Sequence, residues 1–305
     1  MRGPFGKLFE EGFISFKAKF NEIEWNIMKL IAVIFMFTGL FIHSQSISAK
    51  EDDVGIRVEM LPWEEVNKIL PKYSKFTVLD LETGKRFQVQ RRAGSHHADV
   101  QPLTSKETKI MKGIYGGKWS WKRRAIIVIH GNQWIAASMH GMPHGAGALK
   151  NNFPGHFCIH FYGSTTHRTN FMDLSHKLMI LKAAGELDNY IGNANPYELI
   201  SAFVAGIKQQ DTHIVSSVSL KQKKWKKHLQ SIENIHLARM AVLPVEDLKE
   251  ELTLEVPVEL DMVIKNAGSK KYKGYIYLAR FSQADSWKID SVRFFNEMEG
   301  KKLED

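Results

Sequence analysis

Residues 76–165 contain short runs with a strong preference for β-strands, and these runs most constrain the fold. Runs 76–80 and 86–90 alternate, whereas 125–129, 134–137 and 157–162 are rich in β-branched and other apolar residues. Gly84 lies in the turn between the first two runs, and Gly131 lies between the third and fourth. Alternating runs joined by glycine-bearing turns are typical of β-hairpins. We therefore expect residues 76–165 to be mainly β.

Helix signals interrupt and then follow these strands. Thr104 and Glu107 have the spacing of a capping box, Asp173 and Gly185 are suited to begin and end one helix, and Asn195-Pro196 is suited to begin another. Apolar residues then alternate again over 252–264, 275–277 and 287–289. Helices followed by an antiparallel sheet indicate a separate α+β unit, so the whole chain is predicted to be α+β.

This order of elements predicts a division of the chain. We expect a signal peptide or signal anchor over 1–49, a mainly β catalytic domain over 50–185 and a smaller α+β accessory domain over 186–305, with a linker near 185–195. The accessory unit resembles nuclear-transport-factor-two-like domains in its element order. That resemblance implies a fold and carries no function.

The uncharged stretch 30–42 indicates export. Its thirteen residues suit the core of a signal peptide, whereas a spanning helix needs about 20. Lys29 precedes the stretch and Ala49 ends a tolerable cleavage site, while Met28 reads as an alternative start to Met1. Either a cleaved signal peptide or an uncleaved anchor places the body of the protein outside the cytoplasm.

The charge balance indicates polyanionic surroundings. Lys and Arg number 42 against 33 Asp and Glu, which gives a net charge of +9. The basic run 221–227 surrounds Trp225 but belongs to no recognisable nucleic-acid module. In an exported protein we expect peptidoglycan peptides, anionic wall polymers or a membrane surface as partners, and no nucleic acid.

The lone cysteine lies in a cluster of histidines. One Cys excludes an intrachain disulfide framework, and nine of the 13 His lie between His96 and His176. Around Cys158 stand His140, His144, His156, His160 and His167. If 155–161 is a strand, its period places His156, Cys158 and His160 on one face and three apolar side chains on the other. An imidazole that removes the thiol proton would activate Cys158 for attack.

A glycine-rich loop at 140–147 precedes this strand, and the two segments together resemble the L,D-transpeptidases of bacterial cell walls. His140-Gly141 matches the histidine and small residue of that family, and Gly155-His156-Phe157-Cys158 matches its Ser-His-Gly-Cys motif. The resemblance implies that Cys158 is the nucleophile, His140 its base, the Gly141 carbonyl the group that orients the imidazole, and amides around His156 the oxyanion hole. The sequence departs from the family at Gly155, at Phe157 and at His160, which stands where Arg is usual.

The remaining residues of the cluster have expected roles in substrate binding. His144 is a second credible base, and His144, His160, His167 and Arg168 are candidates for substrate binding. Of these, His167 and Arg168 could bind a substrate carboxylate. His97 and Asp99 either line the same cleft or lie on the surface.

Two other functions remain open. His140, His144, His156 and His160 would serve as zinc ligands in a wall amidase or endopeptidase. A protein that buries Cys158 as a small hydrophobe would instead be a non-catalytic wall-binding protein. The leading expectation, an acyl transferase that acts on peptidoglycan stem peptides through a Cys158 thioester, requires no metal or organic cofactor.

Overall fold

The computed structural model describes residues 57–166 and 171–300. These residues belong to the unit Ile56–Asp305, and the segment 1–49 predicted as a signal peptide or anchor lies outside them. Within the described ranges, no helix combines the length and apolar character that crossing a bilayer requires.

The described residues form eleven strands and eight α-helices. The strands are β1 (Val58–Glu59), β2 (Lys75–Asp80), β3 (Arg86–Ala93), β4 (Ala98–Pro102), β5 (Arg124–His130), β6 (Gln133–Met139), β7 (Phe157–His160), β8 (Ile232–Met240), β9 (Thr253–Ile264), β10 (Gly268–Ala279) and β11 (Lys288–Ile289). The helices are α1 (Trp63–Ile69), α2 (Ser105–Ile114), α3 (Leu174–Ala184), α4 (Leu187–Asn193), α5 (Pro196–Gln209), α6 (Thr212–Val218), α7 (Lys226–Ser231) and α8 (Ser291–Gly300). The α+β class predicted from the sequence is confirmed.

Strands β2 to β7 form a closed barrel. The sheet runs β1-β6-β5-β2-β3-β4-β7, and β7 also pairs with β6, which closes the ring. Both predicted hairpins are present, as the antiparallel pairs β2–β3 and β5–β6. Alternate side chains of these strands fill the interior, among them Phe76, Phe87 and Phe157, all buried. Helix α2 covers part of this core, and the side chain of its N-cap Thr104 accepts a hydrogen bond from the Glu107 amide.

A second, four-stranded antiparallel sheet follows the helices. Its order is β11-β10-β9-β8, and α5 begins with a complete capping box between Asn195 and Glu198. Phe203 of α5 and Phe294 of α8 pack edge to face in the core beneath the sheet. The alternating runs in β9, β10 and β11 were predicted, whereas β8 was not, because its buried positions do not alternate regularly with exposed ones.

Helix α3 connects the outer surface of the barrel to the second core. One hydrophobic cluster includes Ala136 of β6, Leu178 of α3 and Phe203 of α5. Gly185 ends α3 with a φ of 76°, as predicted for a left-handed cap. The linker predicted at 185–195 is wrong in its local structure, because α4 occupies most of it. The domain limits 50–185 and 186–305 stay a prediction.

A buried carboxylate fixes the pairing of β2 with β5. Asp80 is fully buried and accepts hydrogen bonds from Arg124 Nε at 2.6 Å and Nη2 at 2.8 Å. Its Oδ2 also accepts from the Thr83 amide, which orders the turn before β3. The ion pair therefore joins the hairpin turn to the neighbouring strand.

Replacing Asp80 should destabilise the protein far more than replacing the exposed acid on the same arginine. We expect Asp80→Ala to lower the free energy of unfolding by about 3 to 5 kcal/mol, because it leaves the Arg124 charge without its buried partner. Glu82 contacts Arg124 at 3.1 Å but its side chain is 46% exposed, so Glu82→Ala should cost less than about 1 kcal/mol. Urea unfolding of the two variants measures both values, and equal losses would contradict a buried ion pair.

Candidate active site

Strand β7 lies between β4 and β6 and points its two polar residues to the outer side of the barrel wall, where both are buried: Cys158 is 4% exposed and His160 is 3% exposed. Asp99 of β4 pairs with Cys158, and Ser138 of β6 pairs with His160. Phe157 and Ile159, with Phe161 just beyond the strand, belong to the barrel core. The predicted separation of faces in this segment is therefore confirmed, and the thiol stands on the outer face beside a carboxylate.

The glycine-rich loop folds back over this face. His144 and His156 exchange two backbone hydrogen bonds, of 3.0 and 2.9 Å, that close the loop at its base. Gln101 of β4 anchors it further, since its Nε2 donates to the Gly155 carbonyl at 2.8 Å and its Oε1 accepts from the Ala148 amide at 2.9 Å. Gly155 has a φ of 119°, and a Cβ there would clash with the His144 carbonyl oxygen.

The closest imidazole to the thiol belongs to His144. Its Nε2 lies 3.3 Å from Cys158 Sγ, and its Nδ1 lies 3.2 Å from the Met142 carbonyl oxygen. A carbonyl oxygen only accepts, so Nδ1 carries the proton of that hydrogen bond and the Nε2 lone pair faces the sulfur. His144, rather than His140, is thus the imidazole within hydrogen-bond distance of the thiol among the described residues.

Two further imidazoles converge on Asp99. His97 Nε2 lies 3.2 Å and His156 Nε2 lies 3.7 Å from Asp99 Oδ1, which is itself 3.5 Å from Cys158 Sγ. Each of these histidines also places Nδ1 against a backbone carbonyl, that of Thr165 for His97 and that of Ala146 for His156. Three separate carbonyls therefore direct three Nε2 atoms toward one carboxylate–thiol pair.

His160 lies behind the thiol in a stack of buried rings. Its ring centroid is 4.5 Å from that of His97 and 3.8 Å from that of His176, with interplanar angles of 14° and 13°. His176 belongs to α3, and its Nδ1 lies 2.9 Å from Ser138 Oγ. Nothing in the sequence pattern distinguishes His176 from an ordinary helix residue, so the sequence reasoning did not place it in the site.

His140 and Gly141 lie beside the thiol–imidazole pair. His140 is buried, and its Nδ1 accepts a hydrogen bond from the Met142 amide at 3.3 Å. Gly141 packs so closely on the Tyr115 ring that a Cβ would overlap it. Trp121, whose surface is 51% exposed, places its ring 4.7 Å from that of His140 and 5.6 Å from that of His144. Trp121 therefore forms part of the rim. His167 and Arg168 lie outside the described residues.

Burial sets the protonation states of this site. Burial, together with the Asp99 carboxylate, raises the pKa of the Cys158 thiol far above its usual value. Burial lowers the pKa of His144 despite its hydrogen bond to Met142, and it lowers the pKa values of His140 and His160 well below 6.5. Burial opposes ionisation of Asp99, but hydrogen bonding from His97 and the nearby charges of His97 and His156 outweigh it and lower its pKa. At neutral pH the Cys158 thiol and the His140, His144 and His160 imidazoles are therefore neutral, and the Asp99 carboxylate is ionised.

This arrangement is competent for two kinds of chemistry. A thiol with a proton acceptor at 3.3 Å is the pair needed for nucleophilic attack. The same atoms are also metal donors. Three sets of three residues each have donor atoms that lie within 4.8 Å of one another, and every set includes Cys158. The other two members are His97 and His160 in the first set, His140 and His144 in the second, and Asp99 and His156 in the third.

Comparison with protein-family models, curated proteins and solved structures found no match to this chain. The geometry of the site is therefore the basis for inferring its function.

The Asp99 carboxylate should suppress thiolate formation. We expect iodoacetamide to alkylate the native protein at neutral pH much more slowly than the urea-unfolded chain, because only the thiolate reacts and both burial and Asp99 disfavour it. Asp99→Asn removes the adjacent charge and should raise the native rate by about tenfold, the effect of one unit in the thiol pKa. Mass spectrometry of timed samples measures the rates.

The matched control is Asp188→Asn, which changes a carboxylate that is 74% exposed on α4. This variant should react at the wild-type rate. A rate for Asp99→Asn equal to or below that of the wild type, in a variant that unfolds at the same urea concentration, would contradict the electrostatic role of Asp99.

Proposed function

We propose that this protein is a cysteine-dependent acyl transferase of the cell envelope, with Cys158 as nucleophile and His144 as base. The observation that carries the proposal is the 3.3 Å separation between Sγ and His144 Nε2, with Nδ1 held by the Met142 carbonyl. A fixed tautomer with its lone pair toward the thiol is what a general base requires.

The proposed reaction forms and breaks a thioester. Cys158 Sγ attacks the carbonyl carbon of a peptide bond while its proton passes to His144 Nε2. The tetrahedral intermediate collapses with cleavage of the C–N bond, and His144 returns the proton to the departing amine. An amine or a water molecule then attacks the thioester carbonyl carbon and gives up a proton to His144 Nε2. The C–S bond breaks, and His144 returns this proton to the departing sulfur, which restores the thiol. No electrons are gained or lost.

The resting state sets the order of these events. Because the thiol is neutral at rest, proton transfer accompanies attack and no stable thiolate–imidazolium pair precedes it. The low pKa of His144 keeps the base unprotonated at neutral pH. The amide of His156 donates to the His144 carbonyl, so the proposed mechanism does not use it as an oxyanion donor.

The resemblance to L,D-transpeptidases supports the reaction class. In this chain the roles that it implies for His140 and the Gly141 carbonyl fit His144 and the Met142 carbonyl, four and one residues further on. On this proposal the barrel is the L,D-transpeptidase-like catalytic domain, and the α+β region is a nuclear-transport-factor-two-like accessory domain.

The proposed substrates are anionic peptidoglycan stem peptides. A cleft of about 400 Å³ adjoins the rim and is lined by Trp121, Lys122, Arg123 and Lys208, among others. Its cations suit a peptide carboxylate, and the exposed indole suits the flat face of a sugar. The uncharged segment 30–42 supports an extracytoplasmic location for such a substrate.

The basic run of the accessory region provides a second anionic contact in this proposal. The lysines of 221–227 are exposed, whereas Trp225 is 1% exposed and packs on Phe295. The run is therefore a charged surface anchored by a core tryptophan. It suits wall polymers or anionic lipid headgroups as partners.

Removing either member of the pair should abolish or greatly reduce turnover. We expect Cys158→Ala to lose all activity on muropeptides, and His144→Ala to lower kcat/KM by roughly 10² to 10⁴, the usual contribution of a general base. The intact mass of wild-type protein mixed with substrate should show an acyl adduct at Cys158. His213→Ala, which changes an imidazole that is 50% exposed on α6, serves as the control and should retain full activity.

Two reagents distinguish the rival functions. A thiol alkylator applied until Cys158 is modified should stop the reaction, and a chelator should not. Loss of activity to the chelator alone would replace the proposal with a zinc-dependent wall hydrolase. Turnover by Cys158→Ala would remove the thiol mechanism, and inactivity under every condition would favour a wall-binding protein.

The pH profile should report the lowered pKa of His144. Protonated His144 cannot accept the thiol proton, so kcat/KM should fall as the pH drops through a pKa below 6.5 and should be level at neutral pH. Measurement of kcat/KM against pH locates this limb. A rate that instead rises steadily from neutral to alkaline pH would indicate that a preformed thiolate is the reactive species.

A further inference from the structure

The atoms around Cys158 have the arrangement of a metal site. We propose that Cys158, Asp99, His156 and His144 bind a soft divalent cation of the zinc type, and that the bound cation blocks the thiol. The four residues are called the thiol cage below. The inhibitory half of this inference rests on the proposed function, whereas the binding half does not.

The separations between donor atoms carry the first step. Zinc bonds of 2.0 to 2.3 Å in a tetrahedron place neighbouring donors about 3.3 to 3.8 Å apart. In the thiol cage, Sγ lies 3.5 Å from Asp99 Oδ1 and 3.3 Å from His144 Nε2, and His156 Nε2 lies 3.7 Å from Asp99 Oδ1. Asp99, His156 and Cys158 each offer an atom within 4.8 Å of the other two and are the preformed part of the cage. His144 contacts the sulfur but is grouped with His140 rather than with Asp99 and His156, so it would have to approach the cation to complete the tetrahedron.

The orientation of the imidazoles carries the second step. A histidine that binds metal through Nε2 commonly donates its other ring N–H to a backbone carbonyl or a carboxylate. His144 and His156 both do so, to the carbonyls of Met142 and Ala146. His144 Nε2 therefore faces the sulfur and His156 Nε2 faces the carboxylate, although the two carbonyls that anchor the rings come from different parts of the loop.

The donor set selects the kind of cation. One thiolate, two imidazoles and one carboxylate suit zinc and its softer neighbours better than magnesium or calcium, which prefer oxygen ligands. The site also has a surplus of nitrogen donors behind the sulfur. His160 is 3% exposed, and among the described residues its Nδ1 has no hydrogen-bond partner.

Cation binding and acyl transfer exclude each other at this site. A metal–sulfur bond occupies the sulfur lone pair that would attack a carbonyl, and a metal–nitrogen bond occupies the Nε2 that would accept the proton. Binding releases the thiol proton to solvent and forms the metal–sulfur bond without any redox change. We therefore expect zinc to inhibit reversibly by competing with the substrate for Cys158.

Direct binding tests the cage without reference to activity. Titration of the metal-free full chain with Zn²⁺ should show one tight site by calorimetry, and Co²⁺ should give the near-ultraviolet absorption of a sulfur-to-cobalt charge transfer. Zn²⁺ should also raise Tm, because it binds the folded state. Cys158→Ala should abolish the cobalt band, and His156→Ala should weaken zinc binding by at least about 10-fold, a lower limit set by the effect of losing an outer-shell partner. His213→Ala should bind as the wild type does.

Inhibition is measured against the zinc-free rate of each variant. Zn²⁺ should inhibit the wild type, a chelator should restore the rate, and His156→Ala should need at least about 10-fold more Zn²⁺ for half inhibition. Absence of tight binding in the wild type, or binding that survives both Cys158→Ala and His156→Ala, would overturn the cage whether or not the protein is an enzyme. Tight binding in a protein with no transferase activity would uphold the cage and remove the proposed function. Activity that requires bound Zn²⁺ and is lost when a chelator removes it would overturn the inhibitory half of the inference.

Discussion

The insertion of β7 between β4 and β6 is the constraint on which the site depends. This strand closes the barrel. Because its side chains alternate between the two faces, its four residues point in turn into the barrel interior and to the outer side of the barrel wall. Phe157 and Ile159 fill the interior, so Cys158 and His160 must face outward. A shift of register by one residue would bury the thiol in the core and expose two large apolar side chains. The packing of the barrel therefore also secures the position of the sulfur.

Placing the thiol opposite Asp99 creates an electrostatic conflict. The register of β4 and β7 brings an ionised carboxylate to 3.5 Å from Sγ, which opposes loss of the thiol proton. In the proposed reaction the conflict is relieved because the proton moves to His144 only as the sulfur forms a new bond, and in the proposed metal site it is relieved by the positive charge of the cation. The two proposals thus rest on one feature of the site. The same reasoning explains why an isolated, persistent thiolate does not suit this site.

The sequence predicted the parts of the structure that depend on local periodicity. The barrel hairpins, the caps at Thr104, Asp173 and Asn195, and the two faces of β7 follow from alternation and capping chemistry. The sequence does not predict whether His140 or His144 approaches the Cys158 thiol. That contact depends on the course of an irregular loop closed by a pair of backbone hydrogen bonds. His176 reaches the site only through the packing of α3 on β6, and no spacing in the sequence encodes that contact. Helix α4 was missed because Gly192 and its polar neighbours have the composition of a linker.

Strand β4 couples the two halves of the site mechanically. Asp99 and Gln101 are two residues apart and therefore lie on the same face of the strand. The first carries the carboxylate beside the thiol, and the second holds the loop that positions His144, through its bonds to Gly155 and Ala148. His144 is also joined by two backbone hydrogen bonds to His156, which lies just before Cys158 on the β7 segment. The distance between sulfur and imidazole is therefore set by the segment that leads into β7, whereas the distance between sulfur and carboxylate is set by the β4–β7 pairing of the closed barrel.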